Sequence, residues 1–452
     1  MSSQNLLNVL LVVSTNFKLL VFLLLFQLPT RAQTLSYNNG VAQIIQKKCG
    51  VCHYKDGYAP FSLSTFEEVK RHSKEMALVV ASGSMPPWKA NAHFRDFADN
   101  RSLDSSEKQA ILNWLKADMP LGKKSDLVQP DRELGLPKPD ILLKMPRPYS
   151  LAASNKNTYI CYKIPFELDS AHAISGLQFF PGLKTLVHHA SYQIFEVAES
   201  ADIKLGPDYY AYSEDSINRV DDTRDFKYFN MRGKQGEYPR EVYHGGWLPG
   251  TGLIKFPDKV GFNLPKRGVL LIRSLHYSPS SVKANDQSAL GLYYSSAPIL
   301  REVGFAAFQP KNPSPGYGWT IPADTIYKAH LNVRFNNDVS LLHINPHMHL
   351  IGKTFRAYAV SANGDTIKLV DIPDWDFNWQ DFYRFKNMVK IPAGSVLHAT
   401  ATYDNTNKNP FNPNQPPKAM PFETGMDESN EMMRLVLLFL PYQMGDEEIS
   451  LE

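Results

Sequence analysis

The sequence predicts a multi-domain protein in which a small all-α domain precedes two all-β antiparallel sandwich domains. Amphipathic helical spacing is confined to the first part of the chain and ends near Leu121. From Thr158 onward, short alternating or apolar runs are separated by Pro, Gly and Asn turns, the pattern of many short strands. The length of 452 residues accommodates roughly two to four domains of about 100–200 residues each. The β stretch, about 300 residues, is long for one sandwich and fits two in tandem.

Composition sets the class. An apolar fraction of 43% and a charged fraction of 21% are those of an ordinary globular chain rather than a disordered one. A net charge of +3 gives no basis for binding nucleic acid or an anionic membrane. The 32 prolines and 22 tyrosines weigh towards a loop-rich β protein.

Residues 1–32 read as a signal peptide. Lys18 precedes the apolar run Leu19 to Phe26, and Pro29-Thr30-Arg31-Ala32 follows with a small-residue cleavage site after Ala32. The run is shorter than the roughly 20 apolar residues a membrane span needs. Because Leu6 to Val13 is apolar too, a leader retained as an anchor is the alternative. The expectation is a periplasmic or secreted protein with no membrane span after cleavage.

Residues 35–122 form the helical domain. Val41 to Ile45 has helical spacing. Ser64-Thr65-Phe66-Glu67 opens a second helix running through Val80, with Ser64 as cap and Glu67 at the capping-box position. Ser105-Ser106-Glu107 opens a third, with Ala110, Ile111, Leu112, Trp114 and Leu115 on one face. Residues 123–149, with Pro130, Pro137, Pro139, Pro146 and Pro148, read as a linker. The sandwiches are expected over 150–298 and 299–448, divided at a weak break near Ser296-Ala297-Pro298.

At the end of the first helix, Cys49-Gly50-Val51-Cys52-His53 matches the attachment pattern of a c-type haem. Two thiols three residues apart on a helical turn can each add to a haem vinyl group, and His53 then lies under the ring as an axial ligand. The motif alone also fits a zinc or redox dithiol site. No second Cys pair exists to complete a zinc site, however, and export and a candidate distal ligand favour one covalent haem c. That distal ligand is Met85, in the proline-stiffened Gly83-Ser84-Met85-Pro86-Pro87-Trp88. Met76, Met119 and His93 are its rivals, Met76 and Met119 being placed on helices. With haem consuming two of the three cysteines, Cys161 stands alone. The domain resembles the class I cytochromes c, whose distal methionine falls at the position of Met85.

The β region holds an uneven set of histidines. His188 and His189 are adjacent, and His347-Met348-His349 places two imidazoles at i and i+2, which share one face of a strand. Imidazoles alone suit zinc, copper, iron or nickel, and a thioether tilts the choice to copper because soft sulfur stabilises Cu(I).

Thr158-Tyr159-Ile160-Cys161, Val187-His188-His189, Leu275-His276-Tyr277, His347-Met348-His349-Leu350-Ile351-Gly352-Lys353 and Glu431-Met432 occur in that order over about Asn157 to Leu440. In this the region resembles the copper type II ascorbate-dependent monooxygenases, the family of peptidylglycine α-hydroxylating monooxygenase and dopamine β-monooxygenase. The resemblance implies two jelly-roll-like sandwiches with one copper each. His188, His189 and His276 would hold the electron-storing copper. His347, His349 and Met432 would hold the copper that binds oxygen and be the catalytic residues. His343 shares strand parity with His347 and is a supporting or misassigned ligand. Adjacent His188 and His189 would point to opposite faces of a regular strand, so a bulge or twist is required.

Asn345 and Val436 stand where peptide-amidating members carry the arginine and tyrosine that clamp a peptide carboxylate, so amidation is not expected. Taken together, these readings predict a copper monooxygenase-like oxidoreductase with one covalent haem and two coppers. It would hydroxylate a C–H bond of an unassigned small molecule or peptide with O2, fed by a periplasmic electron donor. The alternatives are a non-catalytic haem and copper electron carrier or copper-binding protein, and a carbohydrate-binding or adhesion sandwich with structural histidines.

Overall fold

The computed structural model describes residues 35–123, 137–212, 222–312, 319–422 and 430–452. The signal peptide expected over 1–32 lies outside them. The chain is mostly β-sheet, with few helices and several antiparallel sheets. Among the described residues, no helix is long and apolar enough to cross a membrane.

Four helices, Val41–Lys48, Phe66–Arg71, Ser73–Ser82 and Ser105–Lys116, pack around Val41, Ile45, Val69, Met76, Val80, Ile111 and Trp114. One cap differs from expectation by one residue, and the third helix begins at Ser105 as expected. Thr65 rather than Ser64 caps the second helix, exchanging hydrogen bonds with Glu68 rather than Glu67. Asp104 caps the helix that begins at Ser105, paired with Glu107. In each case the reciprocal pair satisfies two N–H groups that have no partner within the helix. The single helix expected through Val80 is broken at His72, which leaves the helical region (φ −100°, ψ 14°). The ring of His72 stacks on Phe61, with centroids 3.9 Å apart. Met119 lies beyond the helix Ser105–Lys116, not on it.

Between the last two of these helices, the segment from Trp88 to Arg101 docks on the C-terminal β unit. Phe97 bridges to Phe385, Ala98 N–H donates to the Arg384 carbonyl at 2.9 Å, and Asn91 N–H donates to the Asp371 carbonyl at 2.8 Å. The helical unit is therefore seated by backbone pairing as well as by side chains.

The first β unit has a six-stranded and a five-stranded sheet. The central strand of the latter, Arg267–Tyr277, lies between Thr158–Glu167 and Val187–Glu196. The second unit has two four-stranded sheets. In one of them Val339–His347 lies between Arg434–Pro441 and Tyr383–Ile391. One apolar core runs through both units and reaches Ala90 and Phe97. Burying so much apolar surface in one body is the main favourable contribution to its stability.

Two expectations are corrected here. Part of the expected linker is sheet, because Ile141–Lys144 pairs with Ala289–Tyr294. The break near Pro298 is also early. Arg301–Glu302 still pairs with Val260–Leu264 of the first unit, and Gly304–Phe308 is the first strand to join the second.

Candidate metal centres

His276 and His189 are cross-strand partners and so share a face. The register then skips, because Tyr277 pairs with Val187, leaving His188 as the extra residue of a β-bulge. A bulge rotates its extra side chain out of the strict alternation. Two adjacent histidines thereby reach one site. The ligand atoms of His188, His189 and His276 lie within 4.8 Å of one another, and this is the one cluster of three or more metal-binding side chains of the His, Cys, Asp and Glu types among the described residues.

The Nδ1 atoms converge, 3.4 Å from His188 to His189 and 3.3 Å from His276 to His189. Metal–imidazole bonds of about 2.0–2.1 Å at a tetrahedral angle would place nitrogens about 3.3–3.4 Å apart, so the cluster fits a metal ion. The outward Nε2 atoms are held, that of His276 by the Asn157 side-chain oxygen at 3.0 Å and that of His189 by Ser274 Oγ at 3.4 Å. Such outer contacts fix ring orientation and tautomer. Burial lowers all three imidazole pKa values, His189 to about 3, so the rings are neutral and ready to bind a cation.

The second pair sits at the end of Val339–His347. The rings of His347 and His349 have centroids 5.1 Å apart. His347 Nδ1 donates to Gln380 Oε1 at 2.5 Å, and His349 Nδ1 donates to the Asn430 carbonyl at 2.8 Å. With the hydrogen on Nδ1, each ring carries its lone pair on Nε2, the nitrogen that could bind a metal. The Glu431 carboxylate accepts N–H bonds from His349 (2.9 Å), Ile351 (2.8 Å) and Met432 (3.3 Å), which binds the segment of Met432 to that of His349. His347 is paired with Arg434, two residues beyond Met432 in the chain. Met433 belongs to the apolar core, whereas Met432, only 7% exposed, does not. Two imidazoles and a thioether are a donor set suited to copper.

In the helical unit, Cys49, Cys52, His53 and Met85 line one cavity of about 380 Å3. His53 Nδ1 donates to the Phe61 carbonyl at 3.0 Å, leaving Nε2 as the free nitrogen, and burial lowers its pKa despite that bond. Pro60, Phe61, Leu63, Val79 and Val80 add apolar walls. Two thiols, an imidazole and a thioether around an apolar cavity fit a covalent haem. The rival Met76 also lines this cavity; His93 is exposed and Met119 does not line it.

The far wall of the same cavity is built by Val187, His188, Pro249, Ser278 and Trp379 of the β units. A Cβ built on Gly250 would lie 3.2 Å from Cys52 Sγ, so the two units meet closely there.

Sequence reasoning passed over the loop between Thr366–Ile372 and Tyr383–Ile391. Trp379 approaches His188, with ring centroids 5.6 Å apart. Gln380 holds His347. Asp381 accepts from Arg101 Nη2 on both carboxylate oxygens at 2.9 Å, and its carbonyl accepts from Asn345 Nδ2 at 3.0 Å. The available signal was a connection longer than a tight hairpin and carrying both Trp375 and Trp379. Asn345 therefore anchors a loop, and Val436, its cross-strand partner, lies in the core.

The remaining histidines have ordinary partners. His244 bonds Glu241 at 3.0 Å, His330 approaches Thr400, and His398 stacks on Tyr358. His343 is buried beside a register break, and burial together with nearby Arg384 pushes its pKa down to about 3. Cys161 is a free, fully buried thiol in a separate apolar cluster.

Comparison with solved structures gives remote likenesses. The major capsid protein P2 of bacteriophage PM2 is 7% identical, with a TM-score of 0.25, over 68% of this chain and 99% of that one. A candidate alpha-L-fucosidase from Bacteroides ovatus is also 7% identical, with a TM-score of 0.16, and the match spans 72% of this chain but 44% of the fucosidase. Likenesses this low carry no argument. No curated protein matches the chain. Residues 323–440, which contain His347, His349 and Met432, match the family model of the copper type II ascorbate-dependent monooxygenase, C-terminal domain, and this supports copper as the metal and an oxidoreductase of the monooxygenase kind.

Proposed function

We propose that this chain is an exported, copper-dependent monooxygenase that hydroxylates a C–H bond of its substrate with O2, its electrons delivered through a c-type haem held at Cys49 and Cys52. The observation that carries the reading is a shared wall: His188 of the three-histidine cluster lines the same cavity as the two thiols and His53. In this reading residues 35–122 are a cytochrome c domain, and 150–298 and 299–448 are copper-binding sandwiches.

When bound, haem and copper supply one-electron redox chemistry, and two coppers together hold the two electrons that monooxygenation of one substrate requires. The chain does the rest. Cys49 and Cys52 would tether the haem, and His53 and Met85 would be its iron ligands. Apolar side chains keep water from that cavity. The bulge at His188 and the Asn157 and Ser274 contacts aim three neutral imidazoles at one point. Gln380 and the Asn430 carbonyl fix the tautomers of His347 and His349. Glu431 ties the strand of Met432 to them.

Metal analysis of purified full-length protein should give about one iron and two coppers per chain, with haem resisting acid-acetone extraction. Reduced, copper-loaded protein should consume O2 and, with substrate, yield hydroxylated product. Redox cycling without oxygen consumption would instead identify an electron carrier.

A further inference from the structure

We propose that the dipeptide Trp379–Gln380 is the electron bridge between the two histidine sites. This rests on copper occupying both, as in the proposed function. The ring of Trp379 packs beside His188, with centroids 5.6 Å apart, and also forms part of the cavity wall shared with Cys49, Cys52 and His53. The next residue reaches the other site, where Gln380 Oε1 accepts from His347 Nδ1 at 2.5 Å. One peptide bond and one side chain thus join a ring in contact with the first site to a ligand of the second.

The bridge is held in place. Gln380 Nε2 donates to the Phe377 carbonyl at 2.7 Å, which orients the amide so that its oxygen faces His347. Trp379 N–H donates to the Asp376 carbonyl at 3.0 Å. Asp381 is clamped by Arg101 from the helical unit and by Asn345 from the strand of His347. Phe382 occupies the space where a Cβ on Gly246 would be. Neighbours on three sides fix the loop, the support a functional contact needs to keep its geometry. A contiguous chain of packed and hydrogen-bonded groups is a physical route for coupling two sites.

The step is a single electron transfer. His188, His189 and His276 would hold a copper that gives up one electron, Cu(I) to Cu(II), and His347, His349 and Met432 would hold the copper that accepts it, Cu(II) to Cu(I). No bond would form or break, and a reduced haem held at Cys49 and Cys52 would supply the replacement electron. Trp379 and Gln380 are positioning and conducting groups in this step, not ligands.

The test uses the full-length protein carrying haem and two coppers, oxidised and anaerobic. It is mixed with less than one equivalent of dithionite-derived electrons and freeze-quenched, and the two Cu(II) signals are resolved by electron paramagnetic resonance. In the wild type the electron should spread between the sites. Trp379→Ala should slow loss of the signal of the two-imidazole, thioether site by roughly tenfold or more, with copper content unchanged. Gln380→Leu should slow it similarly when the rate is read on the fraction of protein that retains that copper. Trp379→Phe should fall between. Wild-type rates in the copper-retaining protein of both variants overturn the bridge and leave the proposed function standing. Loss of the three-imidazole copper in Trp379→Ala makes Trp379 a structural residue and also overturns it. A wild-type protein that takes up no copper overturns both.

Discussion

Replacing Asp381 by Ala tests how firmly the helical unit is locked to the β units. Arg101 and Asp381 are among the most buried charges in the protein, with side chains 5% and 6% exposed. Arg101 Nη2 meets both carboxylate oxygens at 2.9 Å, and its other polar contact is a long 3.4 Å bond to the Pro87 carbonyl. Its Nε lacks a partner already. The guanidinium left behind by Asp381→Ala would keep only that bond and the face of Trp88, 5.0 Å away. Removing one partner of a buried pair costs about 3–5 kcal/mol, against about 0.2–1 kcal/mol for an exposed pair. Urea unfolding of the full-length protein, followed by tryptophan fluorescence, should show a loss in the higher range. The double change Arg101→Met with Asp381→Leu should recover most of it, since an apolar pair of similar volume leaves no stranded charge. A single-variant loss below about 1 kcal/mol, or a double variant as unstable as Asp381→Ala, would refute the lock.

The other predictions probe the metal sites and the pH response. Cys52→Ala should weaken or abolish covalent haem, whereas Met85→Ala should keep it and lower the potential; an unchanged potential and spectrum would point to Met76. Gly250→Ala, with φ +96° and a new Cβ 3.2 Å from Cys52 Sγ, should strain the junction and reduce haem incorporation, read as the haem absorbance per chain. His276→Ala should remove one copper and spare the other, and His347→Ala should do the reverse, with a folding probe excluding collapse. Met432→His should retain copper but lose most oxygen-dependent turnover, while Met433→His, placing a polar ring in the core, should chiefly cost stability. His343 supplies the pH test. Its folded pKa of about 3 lies below the unfolded 6.5, so acid protonates the unfolded chain first and stability falls with pH between those values. From pH 7 to 5 the loss from this residue is about 2 kcal/mol, and metal-free His343→Gln should show a correspondingly shallower pH slope than the wild type.

The local signals were legible because they are written in consecutive residues. The Cys49 to His53 motif, the helical spacing from Val41 to Ile45, the alternation in Ala190 to Phe195 and the His347-Met348-His349 pair each depend on backbone geometry within a few positions. The cap at Thr65 was missed by one residue because Ser64 is also an acceptable cap, and only the turn geometry chooses between them. That a bulge or twist is needed for His188 and His189 to share a face followed from parity alone. That it occurs between Val187 and His189 opposite Tyr277 depends on a pairing with a strand almost 90 residues away.

What the sequence by itself determined is the inventory of donors and their local order: two thiols, the paired imidazoles and the methionines, on helices or strands of predictable period. Tertiary structure alone decided which of these share a cavity. It seated the segment from Trp88 to Arg101 on the C-terminal sheet, put His188 on the wall of the Cys49–Cys52 cavity, and threaded Trp379 and Gln380 between two sites. Asp381 could find Arg101 only across 280 residues of chain, because long-range packing and charge burial have no period in the sequence to announce them.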